Sequence, residues 1–134
     1  MFKDYWKWHK KKEEINDNKG TALFHEREVW WCALGVNVGF EQDGNGELFT
    51  RPTIILKKFN LDACLVVPLT TKTKKGRYYF NVGKAGGREA IAIISQLRFV
   101  DRKRLTDKIG TLDKKTFNSL ISAVIKICFY HTQK

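Results

Sequence analysis

The sequence predicts a mainly β fold with α additions, a small antiparallel sheet curled into a barrel. Three observations carry this expectation. Short runs rich in Val, Ile and aromatic residues succeed one another from Glu28 onward, turn-forming clusters separate them, and an apolar stripe at helical spacing closes the chain. At 134 residues, 43% hydrophobic and 13% aromatic, the chain is the size of one domain and can bury a core.

The elements follow in order. Up to about Asn16, Tyr5, Trp8 and Ile15 fall at helical spacing beside Lys10, Lys11 and Lys12, and "NDNKG" ends the helix. The aromatic residues are expected to pack this helix onto the domain, with the lysines as a solvated face. The β runs are "VWWCALG" (29–35), "TIILKKF" (53–59), "ACLVVPL" (63–69), "RYYFNV" (77–82) and "EAIAII" (89–94), with "LRFVD" (97–101) as a shorter sixth. "NLD", "TTKTKKG" and "GKAGG" supply turns between them. Trp30 and Trp31 are neighbours and face opposite sides of their strand, so one fills the core and the other lies on a surface. In the closing helix Phe117, Leu120, Ile121, Val124, Ile125, Cys128 and Phe129 form a core-facing stripe, and Asp113 is its N-cap.

Charge narrows the function classes. The net charge is +11, but residues 1–50 carry 7 Lys/Arg against 9 Asp/Glu, whereas residues 51–134 carry 18 against 5. The positive excess begins at Arg51 and suits a polyanion or an acidic protein. No apolar run approaches the roughly 20 residues that span a bilayer, and the charged N-terminus lacks a signal-peptide core. A cytoplasmic protein with no membrane partner is expected. Cys32, Cys64 and Cys128 are far apart in apolar surroundings, and His9, His25 and His131 have no metal-ligand spacing. They predict buried structural thiols, no metal and no cofactor.

Two polar positions break the apolar logic. Arg51 precedes Pro52, which holds it extended and fixes where its guanidinium departs. Thr70 and Thr71 stand where "VVPL" gives way to lysines. If the strands after Arg51 and before Thr70 are antiparallel neighbours, both residues meet at one rim of the barrel, under the loop "GFEQDGNGELFT".

At these residues the chain resembles the MazF/PemK family of toxins from bacterial toxin–antitoxin pairs. "VWWCALG", "GFEQDG…RP", "VVPLTTK", "IISQLRFVDRKRLTDKIG" and the closing helix carry the resemblance, in that order, over roughly residues 28–127. It implies a half-open barrel of the PemK/CcdB type for residues 28–134, with 1–27 as an N-terminal helical extension. It further implies a homodimer that cleaves single-stranded RNA (mRNA) at short sequences without a metal, leaving 2′,3′-cyclic phosphate and 5′-hydroxyl ends. The implied protein partner is a cognate antitoxin with an acidic tail, and DNA would be met only through the antitoxin complex. The family's catalytic arginine falls on Arg51, its threonine on Thr70 with Thr71 next to it, and its loop glutamate on Glu41 beside Gln42. Ser95 stands before Gln96 where some PemK-type members carry an acid, and the loop before "RP" is longer here.

The chemistry assigns roles within that frame. Arg51 binds phosphate oxygens in pairs and stabilises the phosphorane, while Thr70 orients by hydrogen bonding. Arginine is a poor base because its pKa exceeds about 12. Glu41 is the candidate base, or else a loop carboxylate that pairs with Arg51 or caps the turn. Lys72, Lys74, Lys75 and Arg77 are phosphate contacts or a solvated turn, and with Gln42, Thr71, Ser95 and Gln96 they make up the RNA-binding set. "DRKRLTDK" (101–108) is expected to be a salt-bridged surface. Two other functions are possible on the same fold. One is a gyrase binder of the CcdB kind, whose Trp-Gly-Ile tail is replaced here by "FYHTQK"; the other is a non-catalytic nucleic-acid-binding barrel.

Overall fold

A computed structural model describes residues 2–130; His131, one of the three histidines, lies outside them. The elements in chain order are α1 (Tyr5–Asp17), β1 (Glu28–Ala33), β2 (Thr50–Lys58), β3 (Ala63–Thr70), β4 (Tyr79–Ala85), β5 (Arg88–Ile93), β6 (Arg98–Asp101), β7 (Leu105–Thr111) and α2 (Lys114–Phe129). Single 3-10 turns at Ile94–Gln96 and Arg102–Arg104 flank β6.

All pairings are antiparallel, in the order β4-β5-β3-β2-β1-β7, with β6 paired to β3. β3 serves two partners along one edge: Ala63–Val66 pair with β6, and Leu69 and Thr70 pair with β5. A strand shared in this way bends, and the sheet curls with it. The ends of the curl approach without pairing; the β4–β5 turn leans on β7, where a Cβ at Gly86 would lie 2.4 Å from Ile109 Cγ2. The barrel is half-open.

The central strands are apolar on both faces because both are covered. One face presents Val29, Ile54, Leu56, Val67 and Leu69 to α2, which buries Phe117, Leu120 and Val124. The other presents Trp30, Cys32, Ile55, Cys64 and Val66 to Phe24, Val100 and Leu105. Asp113 caps α2, its side chain accepting from the Thr116 N–H. Trp30 is the tryptophan that enters the core, where its Nε1–H finds the Glu28 carboxylate at 3.0 Å; Trp31 is 40% exposed.

"DRKRLTDK" lies at the surface as expected, with Leu105 its one buried residue, and it includes a 3-10 turn and the start of β7, which pairs with β1. Its ion pairs do form, Lys108 to Glu28 and Arg102 to Asp62. One expectation is corrected: Ile125, Cys128 and Phe129 are exposed, because the apolar stripe outlasts the sheet that covers it. Cys32 and Cys64 are buried, and burial pushes their thiols up to about 12 and about 11.

Candidate active site

The β2–β3 register sets Thr53 opposite Pro68 and Ile54 opposite Val67. Continued by two positions, it sets Arg51 opposite Thr70, so a pairing of apolar residues in mid-sheet determines which polar groups meet at the rim. Both line one cavity of about 860 Å³ at the mouth of the barrel.

Arg51 is held on three sides. Its Nε donates to the Asp43 carbonyl at 2.8 Å, and its Nη1 to the Leu69 carbonyl at 3.0 Å. With the Gln42 amide turned so that its oxygen faces the guanidinium, that oxygen accepts from Nη2 at 2.8 Å and from Nε at 3.1 Å. A guanidinium has five N–H donors. These contacts leave one on each terminal nitrogen unpartnered among the described residues, the pair that a bidentate phosphate contact uses. Partial burial pulls the Arg51 pKa down from its ordinary value, and the charge of Asp43 opposes that. The group stays cationic at any physiological pH.

Thr70 is 8% exposed, and its Oγ1 accepts from the Lys72 N–H at 3.2 Å. The hydroxyl hydrogen remains available to donate. Thr71, Lys72 and Lys74 line the same cavity, as do Gln42, Ser95 and Gln96. Lys75 and Arg77 are exposed and outside its lining; the Arg77 guanidinium lies over the Tyr78 ring instead.

Glu41 is not brought to Arg51. It lines a neighbouring pocket, and its Oε1 accepts from the Val38 N–H at 2.9 Å, closing a turn in the loop. Gln96 holds the same loop from the opposite side. Its Oε1 accepts from the Gln42 N–H at 3.2 Å and its Nε2 donates to the Phe40 carbonyl at 3.0 Å. The loop folds back on itself at Gly44, where any Cβ would strike the Phe49 carbonyl. Among the described residues no three His, Cys, Asp or Glu side chains are grouped to hold a metal.

Sequence reasoning missed several lining residues, among them Trp31, Phe40, Asn45 and Arg88. Trp31 and Phe40 line the cavity, and Phe40 is 99% exposed. Asn45 comes from the loop, and Arg88 from the far side of the mouth, after the β4–β5 turn. The signal for Arg88 was a cation directly after Gly86-Gly87; for Phe40 it was an aromatic directly before the polar and glycine run "EQDGNGE".

Comparison with known proteins places this geometry. The sequence model of the family described as PemK-like, MazF-like toxin of type II toxin-antitoxin system matches residues 25–128. The chain is 28% identical over 107 residues to Endoribonuclease EndoA of Bacillus subtilis (strain 168), across 72% of this chain and 87% of that protein. Among solved structures, MazF (form I) from Deinococcus radiodurans aligns with a TM-score of 0.63 at 13% identity, over 80% of this chain and 97% of its own. An endoribonuclease in complex with its cognate antitoxin from a mycobacterial species aligns at 0.58 and 14%, over 80% and 97%. At these identities the structural likeness speaks for the fold, and the match to the family model speaks for descent; α1 lies outside the matched residues. The chain belongs to the PemK-like, MazF-like family of toxins of type II toxin–antitoxin systems.

Proposed function

We propose that this toxin is a metal-independent, sequence-specific endoribonuclease acting on single-stranded RNA, with the substrate's own 2′-hydroxyl as nucleophile. The O2′–P bond forms and the P–O5′ bond breaks, giving a 2′,3′-cyclic phosphate and a 5′-hydroxyl. One proton leaves O2′ and one arrives at O5′. Arg51, with one open N–H on each terminal nitrogen, takes the charge that builds on the phosphorane. Thr70 donates its hydroxyl hydrogen to the same phosphate. For Glu41 to accept the O2′ proton its carboxylate must leave the Val38 N–H. That makes the base role a property of the RNA-bound loop.

Lys72 and Lys74 line the cavity and would follow the phosphates, and Trp31 and Phe40 offer π-faces for bases there. The observation that carries the reading is the convergence of Arg51 and Thr70 in one cavity, with the guanidinium already oriented by protein carbonyls. The test is incubation of purified protein with mixed-sequence RNA in excess EDTA, with both new ends mapped, beside Arg51→Ala and Thr70→Val. Cyclic-phosphate ends from the wild type, and about 10²–10³ slower formation of them by Arg51→Ala, are expected. Equal cutting by the two removes Arg51 from catalysis, and no cutting by either favours a binding module.

The partners are proposed on the same footing, as is a cytoplasmic location. An acidic antitoxin segment suits the positive excess downstream of Arg51, and the mycobacterial relative was solved with its antitoxin. An acidic antitoxin peptide that binds without displacing RNA would count against a shared groove. A homodimer is supported by Ile125, Phe129 and Tyr130, which α2 leaves 43%, 69% and 68% exposed. Sedimentation as a monomer at micromolar concentration would overturn it.

A further inference from the structure

The N-terminal segment grips the loop on which Arg51 depends. Lys3, its side chain only 10% exposed, donates from Nζ to the carbonyls of Asn37 at 2.7 Å and Gly39 at 2.8 Å, and pairs with Asp43 Oδ2 at 3.3 Å. An ammonium has three N–H donors, and each has an acceptor here. Tyr5 Oη donates to the Asn37 carbonyl as well, at 2.9 Å. Asp43 in turn accepts from the Asn37 N–H through Oδ1 at 2.7 Å, and its carbonyl accepts from Arg51 Nε at 2.8 Å.

Trp8 secures both ends of the same loop. Its indole is 6% exposed and lies so close over Gly35 that a Cβ there would sit 2.0 Å from the ring. Gly35 has φ +80, a conformation that favours glycine in its own right. The ring centroid of Phe49, at the other end of the loop, is 5.4 Å away, and the Arg104 guanidinium carbon is 5.9 Å from the indole centroid. The loop is thus held at its two ends by one tryptophan and at its middle by one lysine, both from outside the residues that match the family model.

We propose that Lys3 and Trp8 are positioning residues: the N-terminal segment is a strap that pre-orders residues 35–49, so that Asp43 and Gln42 present Arg51 to the cavity before RNA arrives. This rests on the RNA-cleaving reading only for its kinetic consequence. A loop ordered in advance spares the substrate the cost of selecting the competent conformer. Loosening the strap raises KM and leaves kcat nearly unchanged, because bound RNA re-forms the same site.

The test compares full-length wild type, Lys3→Ala and Lys3→Arg by amide hydrogen exchange at residues 37–43 and by steady-state RNA cleavage. Lys3→Ala is expected to speed exchange there about tenfold and to raise KM about tenfold, with kcat within about twofold. Lys3→Arg, which keeps charge and donors, is expected to recover most of both. Unchanged exchange at 37–43 in Lys3→Ala overturns the strap. Faster exchange with unchanged KM overturns its link to activity. Should the wild type cut no RNA, the cleavage reading falls, and the exchange comparison, which needs no substrate, still decides the strap.

Discussion

Arg51 reaches across 18 positions of sequence to donate from Nη1 to the Leu69 carbonyl, 3.0 Å away and immediately before Thr70. The contact ties the two strands at the point where the cavity opens and locks the guanidinium plane. Positioning of this kind distinguishes a catalytic cation from one that merely attracts phosphate.

Arg51→Lys therefore behaves much like Arg51→Ala. An ammonium has the charge but cannot hold Asp43, Gln42 and Leu69 while keeping two coplanar donors for phosphate. Single-turnover cleavage of a defined RNA is expected to fall by about 10²–10³ in both variants. A lysine variant within tenfold of wild type would show that charge alone suffices.

Phe40 separates binding from stability. Its ring is 99% exposed, so Phe40→Ala leaves the melting temperature where it was. Base stacking is worth about 1–3 kcal/mol. RNA affinity measured by fluorescence anisotropy with Arg51→Ala protein, which spares the ligand, should drop at least about fivefold. No change would mean that Phe40 faces water in the complex too.

The basic β3–β4 loop splits into two pairs. Lys72 and Lys74 line the cavity, whereas Lys75 and Arg77 lie outside it. Each phosphate contact with a single strand contributes about 0.7 to the slope of log K against log salt. Lys72→Ala and Lys74→Ala are each expected to shallow that slope by about this amount. Lys75→Ala and Arg77→Ala change it by much less. Four equal effects would describe a diffuse field rather than seated phosphates.

Glu28 sets a pH limit on the fold. Its carboxylate accepts from the His25 N–H at 2.7 Å and Trp30 Nε1 at 3.0 Å, and pairs with Lys108 Nζ at 2.9 Å. Burial by itself raises its pKa, but the hydrogen bonds from Lys108, Trp30 and His25 outweigh that and hold it below its ordinary value of 4.5. With the folded pKa depressed, the stabilisation is complete above the unfolded value and is lost as pH falls through the folded one. Urea midpoints should decline below about pH 4.5. Glu28→Gln should flatten that decline and cost about 1–3 kcal/mol at pH 7. An unaltered pH profile in the variant would assign the acid limit to other carboxylates.

Much of the architecture was legible because it rests on local preferences. "TIIL" and "CLVVPL" read as buried strands from their length, β-branched content and flanking turns, and the stripe from Phe117 to Val124 reads as a covered helix. β7 was not legible. "LTDKIGT" shows no alternation of apolar and polar residues, and Leu105 is its one buried residue. It is a strand because β1 offers it backbone partners, a tertiary fact. Cys128 was misread for a related reason: periodicity marks a helix face but not where the sheet beneath it ends.

The site divides along the same line. Sequence alone determined that Arg51 would leave an extended backbone held by Pro52, and that Thr70 would close a strand, since both follow from steric limits on neighbouring residues. Only the tertiary structure decided that Glu41 caps a turn while Gln42 and Asp43 orient Arg51, and that Lys3 and Trp8 hold the loop carrying them. Those outcomes depend on which side chains reach a common point, and distances between residues remote in sequence are settled only when the whole chain has packed.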